Sequence, residues 1–389
     1  MENSLKYQKL LDFVRKIYTD QEKIPLHSPL FLGNESKYLQ EVINSTYVST
    51  AGPLIKKFEK KLSEFTGIKY CNVTVNGTAA LHIALKAVGV DENTEVITQA
   101  LTFVATINSI KYCGANPIFI DVDAKTLGMC HISLENFLNA NCEIRNDGFC
   151  WNKKSNKKIK VILPMHTFGH PVKLDKISKL CKKYNIFLIE DAAEALGSFY
   201  KKKHVGNFGV ISTLSFNGNK IITTGGGGAL LTNNKQLSIK MNHMINTSKI
   251  NHPWEFFHNE VGFNYRMPNL NAALGIAQLE QINKFLNIKR KIFKKYEKFS
   301  LSQNFNIFSE PDAAYSNYWL NCLILENKKE KNKLLELSHS QKIFMRPTWL
   351  PMHLLPMFKH NQQVDLLNTV SLYNSIVCLP SSVITHEKD

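Results

Sequence analysis

The sequence has no cysteine spacing that suggests a metal or a disulfide framework. Its eight cysteines (Cys71, Cys113, Cys130, Cys142, Cys150, Cys181, Cys322 and Cys378) form no C-x-x-C or C-x-x-H pair. Reduced thiols in a cytoplasmic protein are expected, and no bound metal. No apolar run is long enough to cross a membrane, and the N-terminus lacks the apolar core of a signal segment. Met1 to Lys23 reads instead as an amphipathic helix, with Leu10, Leu11, Phe13, Val14 and Ile17 near one face. Arginine is scarce. The net charge is +16, from 48 basic and 32 acidic residues, but most basic residues are lysines scattered over helical segments such as 179–183 and 284–298. That pattern reads as a solvated surface, not a nucleic-acid footprint, although the field would favour a small anion such as a nucleotide diphosphate. A phosphate-binding Gly-Lys-Ser/Thr motif is missing, as are internal repeats and low-complexity linkers.

What is present is an alternation of strands and helices. Short apolar runs at Tyr70–Val75, Glu95–Thr98, Pro117–Val122, Lys160–Pro164, Ile186–Glu190 and Ile211–Phe216 are separated by helical stretches such as 79–88, 103–113 and 172–184. Continuous apolar strands of this kind belong in an α/β protein with a mostly parallel central sheet flanked by helices. After Tyr265 the pattern changes to a long helix over 270–298, strands at 318–325 and 343–345, and a helix at 328–340. The expected organisation is an N-terminal helical extension (1–24), a large domain (25–280) and a small α+β domain (281–389). A polar stretch at 139–158 reads as an inserted hairpin or loop.

Chemistry concentrates between Ile186 and Leu231. An apolar strand ends in Glu190-Asp191, and Lys220 follows in a small-residue loop before the glycines 225–228. A carboxylate at the C-terminal end of a parallel strand points into the crevice where α/β proteins bind ligands. A carboxylate and an amine so arranged suit pyridoxal phosphate (PLP), whose ring nitrogen needs an anion and whose aldehyde needs a lysine. Asn76-Gly77-Thr78-Ala79 joins a strand to a helix and offers amide hydrogens and a hydroxyl to a phosphate, with Ser215 as a further hydroxyl. Phe103 is placed to stack on a flat ring. Each feature has a plainer reading as well. Asp191 could be a helix N-cap, Lys220 an exposed loop lysine, Gly77-Thr78 ordinary capping, Ser215 and Phe103 packing residues, and His166 and His353 structural histidines. The four glycines are not followed by a helix, so they read as a close backbone approach or a tight turn beside the lysine.

Taken together, Gly52 with Phe58-Glu59, Asn76 to Leu81, Thr102 to Thr106, Pro117 to Asp121, His166 to Gly169, Glu190 to Glu194, Ser215 to Lys220, Gly262 to Arg266 and Arg346-Pro347 resemble the DegT/DnrJ/EryC1/StrS family of sugar aminotransferases. These are PLP enzymes of aspartate aminotransferase fold type I. The segments Glu190–Tyr200 and 217–224, the N-terminal helix and the loop near Asn146 look most like the LegC-type branch of the legionaminic acid and bacillosamine pathways. The resemblance implies a homodimer with shared active sites. Glutamate would give its amino group to the cofactor, leaving pyridoxamine phosphate and 2-oxoglutarate. The cofactor would then aminate C4 of a UDP- or GDP-linked 2-acetamido-2,6-dideoxy-4-keto-hexose. It implies Lys220 as the covalent attachment and proton carrier, and Asp191 as partner of the ring nitrogen. Gly77, Thr78 and Ser215 would hold the phosphate, with Asn264 supplied across the dimer. Phe103 would stack on the ring, and Glu194 would lie near its phenolic oxygen. Thr46, Tyr47, Val48 and Ser49, with His166 and His353, would contact the sugar substrate. The rivals are a sugar dehydratase of the same fold, which carries histidine at the lysine position, and a non-catalytic regulatory homologue.

Overall fold

The apolar runs assemble as a sheet buried on both faces. The computed structural model describes residues 2–19 and 21–385. Met1 and Asp20, both within the expected N-terminal helix, and residues 386–389, at the end of the expected small domain, lie outside them. The main strands are β1 (Tyr70–Thr74), β2 (Thr94–Gln99), β3 (Asn116–Ile120), β4 (Lys157–Leu163), β5 (Phe187–Asp191), β6 (Ile211–Ser215) and β7 (Gly228–Thr232). They lie side by side in the order β1-β7-β6-β5-β4-β2-β3. β7 runs antiparallel to both of its neighbours, and every other pairing is parallel. Alternate residues divide between two cores. Ile97, Ile118, Ile120, Ile162 and Leu188 pack on one face; Val96, Phe119, Val161, Leu163 and Ile189 pack on the other. This is the period of two that a strand imposes. The parallel strands end along one edge, so their C-terminal ends open onto a common crevice.

The polar stretch 139–158 holds two short strands, Cys142–Ile144 and Cys150–Asn152, which pair antiparallel and extend the sheet beside the start of β4. A second, four-stranded antiparallel sheet orders Asn306–Ile307, Asn321–Ile324, Ile376–Leu379 and Arg346–Pro347. The N-terminal helix, Glu2–Ile17, buries Leu10, Leu11 and Val14 in a core with Tyr296, Leu323, Leu334 and Val377. The extension therefore shares its core with this second sheet.

Several boundaries differ from expectation. The helix expected over 270–298 is two helices, Asn269–Leu279 and Ile282–Ser302. The chain turns between them next to Glu280, whose carboxylate accepts hydrogen bonds from Asn34 and Tyr38. The strand expected from Tyr318 starts only at Asn321, because the preceding residues form side-chain-capped turns. Ser316 Oγ accepts from the Tyr318 N–H, and Asn317 Oδ1 from the Trp319 N–H. The strand expected over 343–345 falls at Arg346–Pro347.

Glu190 braces the sheet beneath the crevice. It is fully buried on β5. Its carboxylate accepts from the backbone N–H groups of Gly206, Phe208 and Gly209 at 2.7, 2.9 and 2.7 Å and lies 3.2 Å from His166 Nε2. Burial pushes this carboxyl up, but His166 and the amide donors outweigh it and hold it below the usual range. Glu190→Ala would strand those donors in the core. The expected cost is roughly 3–5 kcal/mol of unfolding free energy, read by urea titration of the cofactor-free protein; a loss too small to measure would contradict this bracing role.

Candidate active site

The crevice at the ends of the parallel strands contains a cavity of about 380 Å³. One wall is the start of the helix Gly77–Ala87, capped by Asn76, whose Oδ1 accepts from the Ala79 N–H at 2.7 Å. Gly77 is required there: a Cβ would stand 2.9 Å from Ser215 Cβ, so only glycine lets the helix start come this close to β6. Behind this turn lies Gly228, where a Cβ would meet the Asn76 carbonyl oxygen at 2.5 Å. Within the run of glycines, Gly226 and Gly227 line the cavity, while Gly228 presses against the Asn76–Gly77 turn. The run thus serves the helix start as well as the lysine loop. The Gly77 and Thr78 amides at this helix N-terminus, beside the hydroxyls of Thr78 and Ser215, suit a phosphate.

Asp191, the last residue of β5, also lines the cavity and is almost fully buried. Its Oδ2 accepts from Thr106 Oγ1 at 2.7 Å, and Oδ1 from the Ala193 N–H at 3.2 Å. Thr106 is steadied in turn by Thr102, 2.8 Å away. No helix starts at Ala192, so the N-cap alternative fails; the carboxylate closes a local turn and faces the cavity. Burial raises its pKa, against these hydrogen bonds and the Lys220 charge. A carboxylate out of water with spare acceptor capacity is suited to a protonated ring nitrogen.

Lys220 lines the cavity and is not an exposed loop lysine. Its Nζ donates to Glu194 Oε1 at 3.2 Å, with 13% of its side chain exposed and 1% of the glutamate's. Glu194 Oε2 accepts from the Phe168 N–H at 2.9 Å. Burial pushes the Glu194 carboxyl up to about 7, against the pull of the Lys220 ammonium. Phe103 is 47% exposed at the rim, and its ring lies 6.1 Å from that of Trp349. Gly77, Thr78, Phe103, Asp191, Glu194, Ser215 and Lys220 therefore converge on one cavity. Their charges and donors fit PLP: hydrogen-bond donors, a buried carboxylate and an amine line the same cavity.

The remaining candidates lie elsewhere. His166 is fully buried, between Glu190 Oε2 and the Val172 N–H, and is not among the residues lining the cavity; its contacts in this chain are those of a structural histidine and lend no support to the expected sugar contact. His353 sits in the short helical turn Met352–Leu354, outside the cavity lining. Thr46, Tyr47, Val48 and Ser49 form an exposed loop away from the lining, with Thr46 at φ 62°. Asn264 is exposed and likewise does not line the cavity of its own chain. Sequence reasoning passed over Thr106, Trp319 and Trp349, all of which line the cavity. For Thr106 a signal existed, because it stands one helical turn beyond Thr102 in a quoted motif. The tryptophans come from the far end of the chain, and nothing local pointed to them. Among the described residues no cluster of histidine, cysteine or acidic side chains could hold a metal ion, and no helix is long and apolar enough to cross a membrane.

The chain is similar to known proteins over most of its length. The sequence profile of the DegT/DnrJ/EryC1/StrS aminotransferase family matches residues 32–389. The GDP-perosamine synthase of Escherichia coli O157:H7 is 38% identical over 340 residues, which cover 87% of this chain and 88% of that protein. The UDP-4-amino-4,6-dideoxy-N-acetyl-beta-L-altrosamine transaminase of Campylobacter jejuni is 33% identical over 343 residues, 84% of this chain and 83% of its own. Among solved structures, PseC of Helicobacter pylori, an aminotransferase involved in pseudoaminic acid biosynthesis, superposes with a TM-score of 0.83 at 25% identity, over 92% of this chain and 93% of its own.

The raised Glu194 carboxyl has a stability consequence. Between its ordinary value of 4.5 and about 7 the folded protein holds a proton that the unfolded chain has released. Stability from this group is therefore present at the acid end of that window and declines as pH rises through it. Relative to Glu194→Gln, the cofactor-free wild type is expected to lose unfolding free energy as pH goes from about 5 to about 8. A pH-independent difference in denaturant titrations would contradict the raised value.

Proposed function

Because the chain belongs to the DegT/DnrJ/EryC1/StrS aminotransferase family and is a PLP-dependent nucleotide-sugar aminotransferase, we propose that it moves the amino group of glutamate to C4 of a nucleotide-linked 4-keto-6-deoxyhexose. Its product would be an amino sugar for surface glycans. The observation that carries this proposal is the convergence of Lys220, Asp191 and the Gly77–Ser215 cradle on one cavity. Bound there, PLP supplies an electron sink for charge that develops next to the amino nitrogen. In this proposal Asp191 keeps the ring nitrogen protonated, and the Gly77 and Thr78 amides with the Thr78 and Ser215 hydroxyls hold the phosphate. Phe103 would cover the ring and Glu194 would lie near its phenolic oxygen. Lys220 would be the residue that holds the aldehyde end and, as a free amine, would carry the proton to and from the reacting carbon.

A GDP-linked substrate is the first choice, since the E. coli relative at 38% identity is named for it. The second reading is the UDP-linked 2-acetamido-2,6-dideoxy sugar of the bacillosamine and legionaminic acid type, supported by the Campylobacter relative named for a UDP-linked N-acetyl sugar. The exposed position of Asn264 supports its service in the site of a second subunit. The exposed apolar side chains of Trp254, Phe256, Phe257 and Val261 nearby, at 77, 83, 58 and 88% exposure, support a homodimer that covers them. The same reading keeps the division at residues 24 and 280 and a cytoplasmic location.

Two measurements test the proposal. Assays with glutamate and either GDP- or UDP-linked 4-keto-6-deoxyhexoses are expected to show amination of one nucleotide series well above the other; no amination of either would overturn it. Lys220→Ala is expected to lose the visible absorbance of the lysine-bound cofactor and to lower turnover by roughly 10²–10⁴-fold. A variant with near-normal turnover would remove Lys220 from its role.

A further inference from the structure

Lys220 has a second neighbour besides Glu194. Its Nζ lies 4.0 Å from the centroid of the Trp319 ring. The same indole donates its Nε1–H to the carbonyl oxygen of Asn219, the residue before Lys220, at 2.7 Å. One side chain therefore touches both ends of the lysine, the backbone from which it starts and the amine at its tip. Trp319 is only 4% exposed. It is held by Asn317, whose Oδ1 accepts from the Trp319 backbone N–H at 2.8 Å and whose Nδ2 donates to the carbonyls of Glu194 and Leu196 at 2.9 Å each. The turn that leads into the second sheet thus ties down the backbone of both Glu194 and Lys220.

We propose that Trp319 is a positioning residue for Lys220, its indole face holding the lysine amine whenever that amine is not attached to the cofactor. The proposal rests on the aminotransferase reading in one respect: that reaction requires the amine to be displaced and to return. A free lysine tip explores many rotamers, and fixing it costs conformational freedom. An aromatic face over the ammonium offsets part of that cost by its attraction for the cation. The Asn219 hydrogen bond shortens the search further by fixing where the side chain begins. Glu194 alone is an uneven holder, since burial pushes its carboxyl up to about 7 and its charge toward the amine changes through the neutral range. The indole face keeps its attraction for the cation whatever the protonation state of that carboxyl.

The test separates the face from the N–H. Cofactor-free protein is reductively methylated with ¹³C-formaldehyde, and the Lys220 resonance is assigned by its absence in Lys220→Arg. In the wild type that resonance is expected to be shifted upfield by the indole ring current. Trp319→Phe keeps a ring face and is expected to retain most of the shift; Trp319→Leu is expected to lose it. In unmethylated protein, capture of added PLP, followed by the rise in visible absorbance, is expected to slow about tenfold in Trp319→Leu, the size of a partly desolvated cation–aromatic contact, and less in Trp319→Phe. An unshifted Lys220 resonance in the wild type, or capture by Trp319→Leu at the wild-type rate, would overturn the proposal. Neither readout needs a sugar substrate. If no nucleotide sugar is aminated, the proposed function fails while the role of Trp319 is still decided.

Discussion

Two carboxylates and one amine are kept out of water together. Asp191 and Glu194, three residues apart, are both almost fully buried, and the Lys220 amine reaches Glu194 in the same cavity. Unpaired, each group would be costly there. The surroundings are built to make them tolerable. Thr106 and the Ala193 N–H serve Asp191, and the Phe168 N–H and Lys220 serve Glu194. Just before them, Glu190 collects three backbone donors and His166 and so fixes the strand from which Asp191 projects. The residues Glu190 to Glu194 thus contain three buried carboxylates with three different tasks, set by what each one touches.

This arrangement follows from the parallel sheet. Because β4, β5 and β6 run in the same direction, the residues at their ends are gathered at one edge, although they lie far apart in the chain. β7, antiparallel between β1 and β6, brings the glycine run back along the same edge. Its first residue, Gly228, backs the Asn76–Gly77 turn closely enough that no side chain would fit. The sheet and the absence of a side chain at Gly77 and Gly228 together form the cradle in which a phosphate can meet backbone amides.

Much of this was legible from the sequence, for a physical reason. Strands buried on both faces read as continuous apolar runs, so the order of strands and helices could be taken from hydropathy alone. Lys220 stood out because the stretch around it holds almost no other charge, and Asp191 because it closes an apolar strand. What could not be read was contact between distant segments. His166 looked like a ligand-binding residue but is consumed by Glu190, 24 positions away. Thr46 to Ser49 and Asn264 are exposed loop positions that do not line the cavity of their own chain. Trp319 and Trp349 enter the site from the turn before the strand Asn321–Ile324 and from just after Arg346–Pro347, and no local pattern announces that. The helix over 270–298 divides at Glu280, where side chains from Asn34 and Tyr38 take hold.

The most direct test of the account is chemical. The protein loaded with PLP is reduced with borohydride, digested, and the peptides are analysed by mass spectrometry. A single pyridoxyl group on Lys220 is the expected result, and it should be absent from Asp191→Ala protein treated in the same way at low cofactor concentration. Attachment to a different lysine, or none at saturating cofactor, would contradict the claim that the buried carboxylates at the end of β5 and this one amine form the reactive centre.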